Sequence, residues 1–123
     1  MIAALCFAGG ATAAAWGAAH LAPTRKVVAG FGTLSDDNRR IITMEWIAEG
    51  AFLIFIGAVV IAVTAIDRRA DAASATYVTA AIGLMALAIV SLFTGFRIRH
   101  PPFRLCPLIF TISAALILGG TFT

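Results

Sequence analysis

Apolar residues in this chain come in long runs, not in the apolar–polar alternation that marks a half-buried strand. Four runs stand out, at about residues 1–20, 41–66, 72–96 and 105–123. The second is interrupted only by Glu45 and Glu49, the third holds 25 residues without a charge, and the fourth holds 19. A helix rises about 1.5 Å per residue and the hydrocarbon core of a bilayer is about 30 Å thick, so about 20 residues cross it. The alternation of a transmembrane barrel is absent. The pattern predicts an all-α protein, a four-transmembrane-helix bundle forming a single domain over residues 1–123.

Polar punctuation places the helix ends. Ser35 is a good N-cap, and Asp36 and Asp37 fill a first turn, where the helix dipole favours negative charge. A helix from Asp36 to Ile66 is longer than the membrane core, so its first turns project into the interface. The third helix is expected to end near Gly95, and Pro101-Pro102 to force a break before the fourth. Pro107 falls in the first turns of that helix, where a missing N–H costs little. The stretch Leu21 to Leu34, with Pro23, Gly30 and Gly32, has no helical period and reads as an interfacial loop. Its end, Gly30 to Ser35, leads into a helix N-terminus, but Asp36 and Asp37 would repel an anion there, so it reads as a turn. In the first run small residues recur at helical spacing: Gly9, Ala13 and Gly17, with Gly10, Ala14 and Ala18 beside them. Such stripes let helix backbones approach closely in lipid. No Lys or Arg precedes this run, so it lacks the basic start of a signal peptide and is expected to be a retained span.

Composition agrees with a membrane location. Of 123 residues, 61% are hydrophobic and 12% charged, against about 25% charged in a soluble domain; such a chain could not cover its surface in water. The net charge of +3 does not point to nucleic acid, because the basic residues cluster between apolar runs, where they act as topology signals. Arg25, Lys26, Arg39, Arg40, Arg97, Arg99 and Arg104 fall on one side, and only Arg68 and Arg69 on the other. The positive-inside rule then predicts a multi-pass protein of the plasma (inner) membrane with both termini outside. The lipid bilayer is its first partner, and a membrane protein partner or a homo-oligomer remains open. Cys6 and Cys106 lie inside apolar runs, form no CxxC pair, and read as small buried hydrophobes. They fall near opposite faces, so a disulfide between them is not expected.

Glu45 and Glu49 are the most informative residues. Four apart, they share a helix face with Trp46 between them. An ionised carboxylate inside a membrane is costly unless paired or hydrated. Glu49, the deeper of the two, is therefore the first candidate to bind a proton or ligand; a salt-bridged or snorkelling glutamate that fixes packing is the alternative. His20 ends the first span at the same side, one turn after Trp16 on the same face. It is placed to hydrogen-bond Glu49 or Glu45, or to act as an interfacial histidine beside a tryptophan. His100, in the run from Arg97 to Arg104, reads as part of a solvated anchor. The candidate proton- or ligand-binding set is Glu49, Glu45, His20, Trp46 and Trp16. A polar pocket at this end would suit proton exchange, a quinone headgroup or an anionic lipid. No metal site is expected, because the Glu-x-x-His pairs of diiron bundles are missing, and no motif points to a cofactor.

At His20-Leu21-Ala22-Pro23, and again at Ala48-Glu49-Gly50-Ala51-Phe52-Leu53-Ile54-Phe55-Ile56-Gly57, the chain resembles the DoxX-like family of small bacterial membrane proteins. That resemblance implies four helices and a membrane subunit linked to quinone or thiol redox chemistry. The function expected is an accessory or binding subunit with a polar cluster at its cytoplasmic end and a quinone or lipid-like ligand. A small proton-coupled transporter or channel using Glu49 is the second expectation, and an enzyme with its site at the membrane interface the third.

Overall fold

The structure, a computed structural model, describes residues 2–99 and 101–123. Met1, His100 and the side chains of residues 101 and 102 lie outside it, so the reading of His100 as an anchor falls outside the described residues. Five helices follow in order: α1 (Ala3–Leu21), α2 (Thr24–Ala29), α3 (Asp36–Asp67), α4 (Asp71–Thr94) and α5 (Pro101–Phe122). No strand occurs among the described residues. By length and composition, three stretches suit a membrane crossing: α3, α4 and Phe103–Phe122 of α5. Their outer surfaces carry large exposed apolar side chains, including Phe55, Ile66, Ile82, Phe93 and Leu108. Such a surface is stable against lipid and unstable against water.

Local chemistry sets most of the boundaries where the sequence predicts them. Ser35 caps α3, its hydroxyl accepting from the Asn38 N–H at 3.2 Å, with Asp36 and Asp37 in the first turn. Gly95 follows α4, its N–H donating to the Ser91 carbonyl at 2.8 Å. Two expectations, for the Leu21 to Leu34 stretch and for Pro107, need correction. The stretch from Leu21 to Leu34 is not all loop: Pro23 precedes the short helix α2, which turns Val28 into the protein and lies against α3. The chain leaves α2 through Gly30 and then Gly32, whose φ of +76° suits a residue without a side chain. The break expected before the last helix does occur, between Thr94 and Pro101, and Pro101 and Pro102 then form the first turn of α5, where proline's fixed φ fits and its missing N–H would have had no partner anyway. Pro107 sits deeper than a first-turn proline. It lies inside α5, and it offers no N–H to the carbonyl of Phe103 four residues earlier.

The helices pack in a ring in which α1 touches α3 and α5, α4 touches α5, and α3 meets α4 least closely. The small-residue stripe of α1 explains its central place. A Cβ on Gly57 of α3 would strike the Gly10 carbonyl oxygen, and a Cβ on Gly17 would lie 2.7 Å from the Gly50 carbonyl oxygen. On its other side, a Cβ on Gly9 would lie 2.8 Å from the Ser113 carbonyl oxygen of α5. Gly9, Gly10, Ala13 and Gly17 are buried, whereas Ala18 of the same expected stripe is exposed. The core comprises Leu53, Val60, Tyr77, Leu84, Phe110 and Ile117 with their smaller neighbours. Near the α3–α4 turn, Thr64 and Tyr77 are hydrogen-bonded at 3.0 Å inside the protein. Because the Thr64 hydroxyl donates to the Val60 carbonyl at 2.6 Å, the shared proton comes from Tyr77. Away from this clasp, at the arginine-rich end, a groove lies between α3 and α4.

Candidate functional site

The last turn of α1 delivers His20 to the arginine-rich end, where it is 9% exposed. Its ring lies flat on the Trp46 indole, with centroids 3.8 Å apart and planes 16° from parallel. The Trp46 Nε1–H donates to the His20 carbonyl oxygen at 2.9 Å. A helix leaves its last carbonyls without intrahelical donors, and Pro23 just beyond has no N–H to offer. The indole supplies one donor, and the Thr24 hydroxyl supplies another to the Leu21 carbonyl at 2.6 Å. Trp46 also meets Phe103 of α5 edgewise at 5.6 Å and 65°. One side chain of α3 thus joins the end of α1 to the start of α5.

Glu49 follows Trp46 by three residues and reaches into the same space. Its Oε2 lies 3.7 Å from His20 Nε2, too far for a hydrogen bond and close enough for a small group to bridge. The Glu49 side chain is 33% exposed and Glu45 lies at the surface. His20 Nε2 is buried and has no hydrogen-bond partner among the described residues. Buried polar nitrogens are rarely left so, and one that is asks for a group the fold itself does not provide.

Two cavities meet here. The smaller, about 190 Å³, is lined chiefly by His20, Trp46, Glu49, Phe103 and Cys106. The larger, about 700 Å³, is the groove between α3 and α4, walled by Ile41, Ile42, Glu45, Phe52, Leu87 and Val90 among others. Trp46, Glu49, Ser91 and Thr94 line both, so the two adjoin. The arrangement is a small pocket that gathers the polar atoms of His20 and Glu49, continued by a mostly apolar groove between α3 and α4. Pockets of this composition orient a ligand with a few polar groups and bury the rest of it against apolar walls.

Four of the five residues singled out from sequence therefore come together: His20, Trp46 and Glu49 in the pocket, and Glu45 in the groove. Trp16 does not line either cavity. It packs against the core, its indole N–H beside the Cys106 thiol. Ser91, Thr94, Phe103 and Cys106 were not foreseen. Ser91 and Thr94, three apart in an uncharged span, gave a faint signal of a polar stripe; Phe103 and Cys106 gave none, since only the packing of α5 turns them inward. Cys106 sits in the pocket while Cys6 sits beside Ile117 and Gly120, near the other end of α5. No disulfide joins them. Arg97, Arg99 and Arg104 are exposed, and the Arg104 Nε–H donates to the Ile98 carbonyl at 3.2 Å. Among the described residues no group of three or more His, Cys, Asp or Glu is placed to hold a metal ion. No protein family, curated protein or solved structure matches the chain.

Proposed function

We propose that this protein is a four-span subunit of the plasma (inner) membrane that binds a lipid-like molecule, its head at His20 and Glu49 and its tail along the α3–α4 groove. The observation that carries the reading is the continuity of the two cavities: one wall of Trp46, Glu49, Ser91 and Thr94 serves, on one side, a small pocket holding His20 and, on the other, a longer apolar groove. An amphiphile has the same two-part character. A purely aqueous solute would leave the groove's apolar walls uncovered, and a purely apolar one would leave His20 Nε2 unbonded.

In this reading α1 is the fourth crossing. Its 19 residues reach about 28 Å, close to the thickness of the hydrocarbon core. Its modest apolarity suits a helix whose neighbours are α3 and α5 rather than lipid alone. The basic residues then place the head pocket at the cytoplasmic side and both termini outside. An accessory role in redox chemistry is what the DoxX-like resemblance adds to this proposal.

Filling the groove tests it. Ala48 is exposed and lines the groove, so Ala48→Trp adds bulk there without entering the core. Protein taken from membranes in polymer-bounded native discs is expected to carry an amphiphile enriched over the bulk lipid, and Ala48→Trp to lose that enrichment. Identical lipid extracts from the two proteins, by mass spectrometry, would refute the proposal.

A further inference from the structure

We infer that the head of the bound molecule is a primary or secondary ammonium group, held between Glu49 and His20 with Glu45 at the groove mouth. The inference rests on the amphiphile reading above and adds the chemical class of the head.

The first ground is charge. Glu45 and Glu49 both face the cavities, and no Lys or Arg is among the described residues lining them. The arginines of this end lie outside, exposed to solvent, where water and salt screen them. A carboxylate at a membrane interface is stabilised by a nearby cation, and among the described residues lining the pocket only His20, when protonated, could supply one.

The second ground is the direction of the hydrogen bonds on offer. The Thr94 hydroxyl gives its proton to the Val90 carbonyl at 2.7 Å and so presents only lone pairs to the groove. The carboxylates are acceptors as well. A neutral head with acceptors alone, such as a quinone, leaves both carboxylates and the Thr94 oxygen without a donor, whatever the Ser91 hydroxyl offers it, and an anionic head meets two negative charges. A head rich in N–H donors is matched.

The third ground is the gap at His20. Its Nε2 is buried, unpartnered among the described residues, and 3.7 Å from Glu49 Oε2. A protonated amine placed there donates one N–H to the carboxylate and another to the neutral imidazole nitrogen. A quaternary ammonium has no N–H and could serve only the first. Trp46 and Phe103 border the same pocket, and aromatic rings attract a cation that has shed its water.

The pocket contains its own reporter, Cys106. In Cys6→Ala protein held in discs of phosphatidylcholine, the rate at which N-ethylmaleimide alkylates Cys106 is followed by intact-protein mass spectrometry. The probes are dodecylamine, a phosphatidylethanolamine and 1-dodecanol, each compared between wild type and the Glu45→Gln/Glu49→Gln variant so that membrane partitioning cancels. Rates are normalised to those without probe. Dodecylamine is expected to protect Cys106 and to need about tenfold more probe in the variant, while protection by dodecanol is unchanged and shows that the pocket is intact. Matching behaviour of phosphatidylethanolamine would mark a phospholipid head as the source of the ammonium; protection by dodecylamine alone would mark a free long-chain amine. If dodecylamine protects equally in wild type and variant, the ammonium assignment is wrong and the amphiphile site stands. If no probe protects Cys106, both fall. Should the double variant not fold, Glu49→Gln alone replaces it in the same comparison, and equal protection by dodecylamine again overturns the ammonium assignment.

Discussion

One added methyl group, Gly57→Ala, tests whether α1 and α3 touch through their backbones. The new Cβ would strike the Gly10 carbonyl oxygen and lie 2.7 Å from Ala14 Cβ and 2.8 Å from Ala14 N. These atoms are fixed to a helix and cannot rotate away, so the two helices must separate. Overpacking of this kind costs about 1–3 kcal/mol. It is opposed by the better helix propensity of alanine over glycine, about 1 kcal/mol, which by itself would leave even the sign open. Gly83→Ala in α4 removes that ambiguity. A Cβ there would meet only Ile56 Cδ1, at 3.7 Å, an ordinary contact. Both substitutions gain the propensity, so it cancels between them, and Gly57→Ala is expected to be about 1–3 kcal/mol less stable than Gly83→Ala. Unfolding of the two variants and the wild type, followed by circular dichroism under rising temperature in one detergent, reads the difference directly. Midpoints that coincide would show that α1 does not lie where the contacts of Gly57 require, and the placement of His20 over Trp46 would lose its foundation.

The clasp at the other end predicts an asymmetry: Thr64→Val leaves the buried Tyr77 hydroxyl without its acceptor and should cost about 1–3 kcal/mol, whereas Tyr77→Phe leaves Thr64 bonded to Val60 and should cost less, about 0.6 kcal/mol. Equal losses on thermal unfolding would contradict the assigned direction of that bond. Glu49→Gln is expected to fold and insert normally yet lose the retained amphiphile, and Glu45→Gln to lose less of it, because Glu45 is exposed and solvated; equal, mild effects in lipid extracts would reduce Glu49 to a packing residue. Both termini are predicted outside, so a green fluorescent protein fused after Thr123 and exported through the general secretion route should stay dark and an alkaline phosphatase fusion should be active; a bright fusion would reverse the orientation.

Much of the architecture was legible before any tertiary contact. Long apolar runs gave the helical class. Ser35 with its two following aspartates gave the start of α3, and Gly95 the end of α4, because caps and turns act through neighbours a few residues apart. The errors lay where proline or packing mattered. A proline pair marks a break in sequence without showing whether it lies in the break or opens the next helix; here the break falls between Thr94 and Pro101 and the pair opens α5. The helix α2 is six residues long, too short to show a period; it lies against α3 with Val28 buried.

The site divides along the same line. A pair of glutamates four apart on an apolar helix is expensive in lipid and therefore conspicuous, and a histidine closing the first span stands out for the same reason; His20, Trp46, Glu49 and Glu45 could be chosen from sequence on cost alone. Where those side chains meet is a matter of helix packing. Gly10 against Gly57 and Gly17 against Gly50 set how closely α1 lies on α3, and so bring the His20 ring onto Trp46 and within 3.7 Å of Glu49. The opening between α3 and α4, and the inward turn of Phe103 and Cys106 on α5, likewise arise from contacts between residues far apart in the chain. Local chemistry fixes which residues are costly to place in a membrane; only the meeting of four helices decides which of them share a cavity.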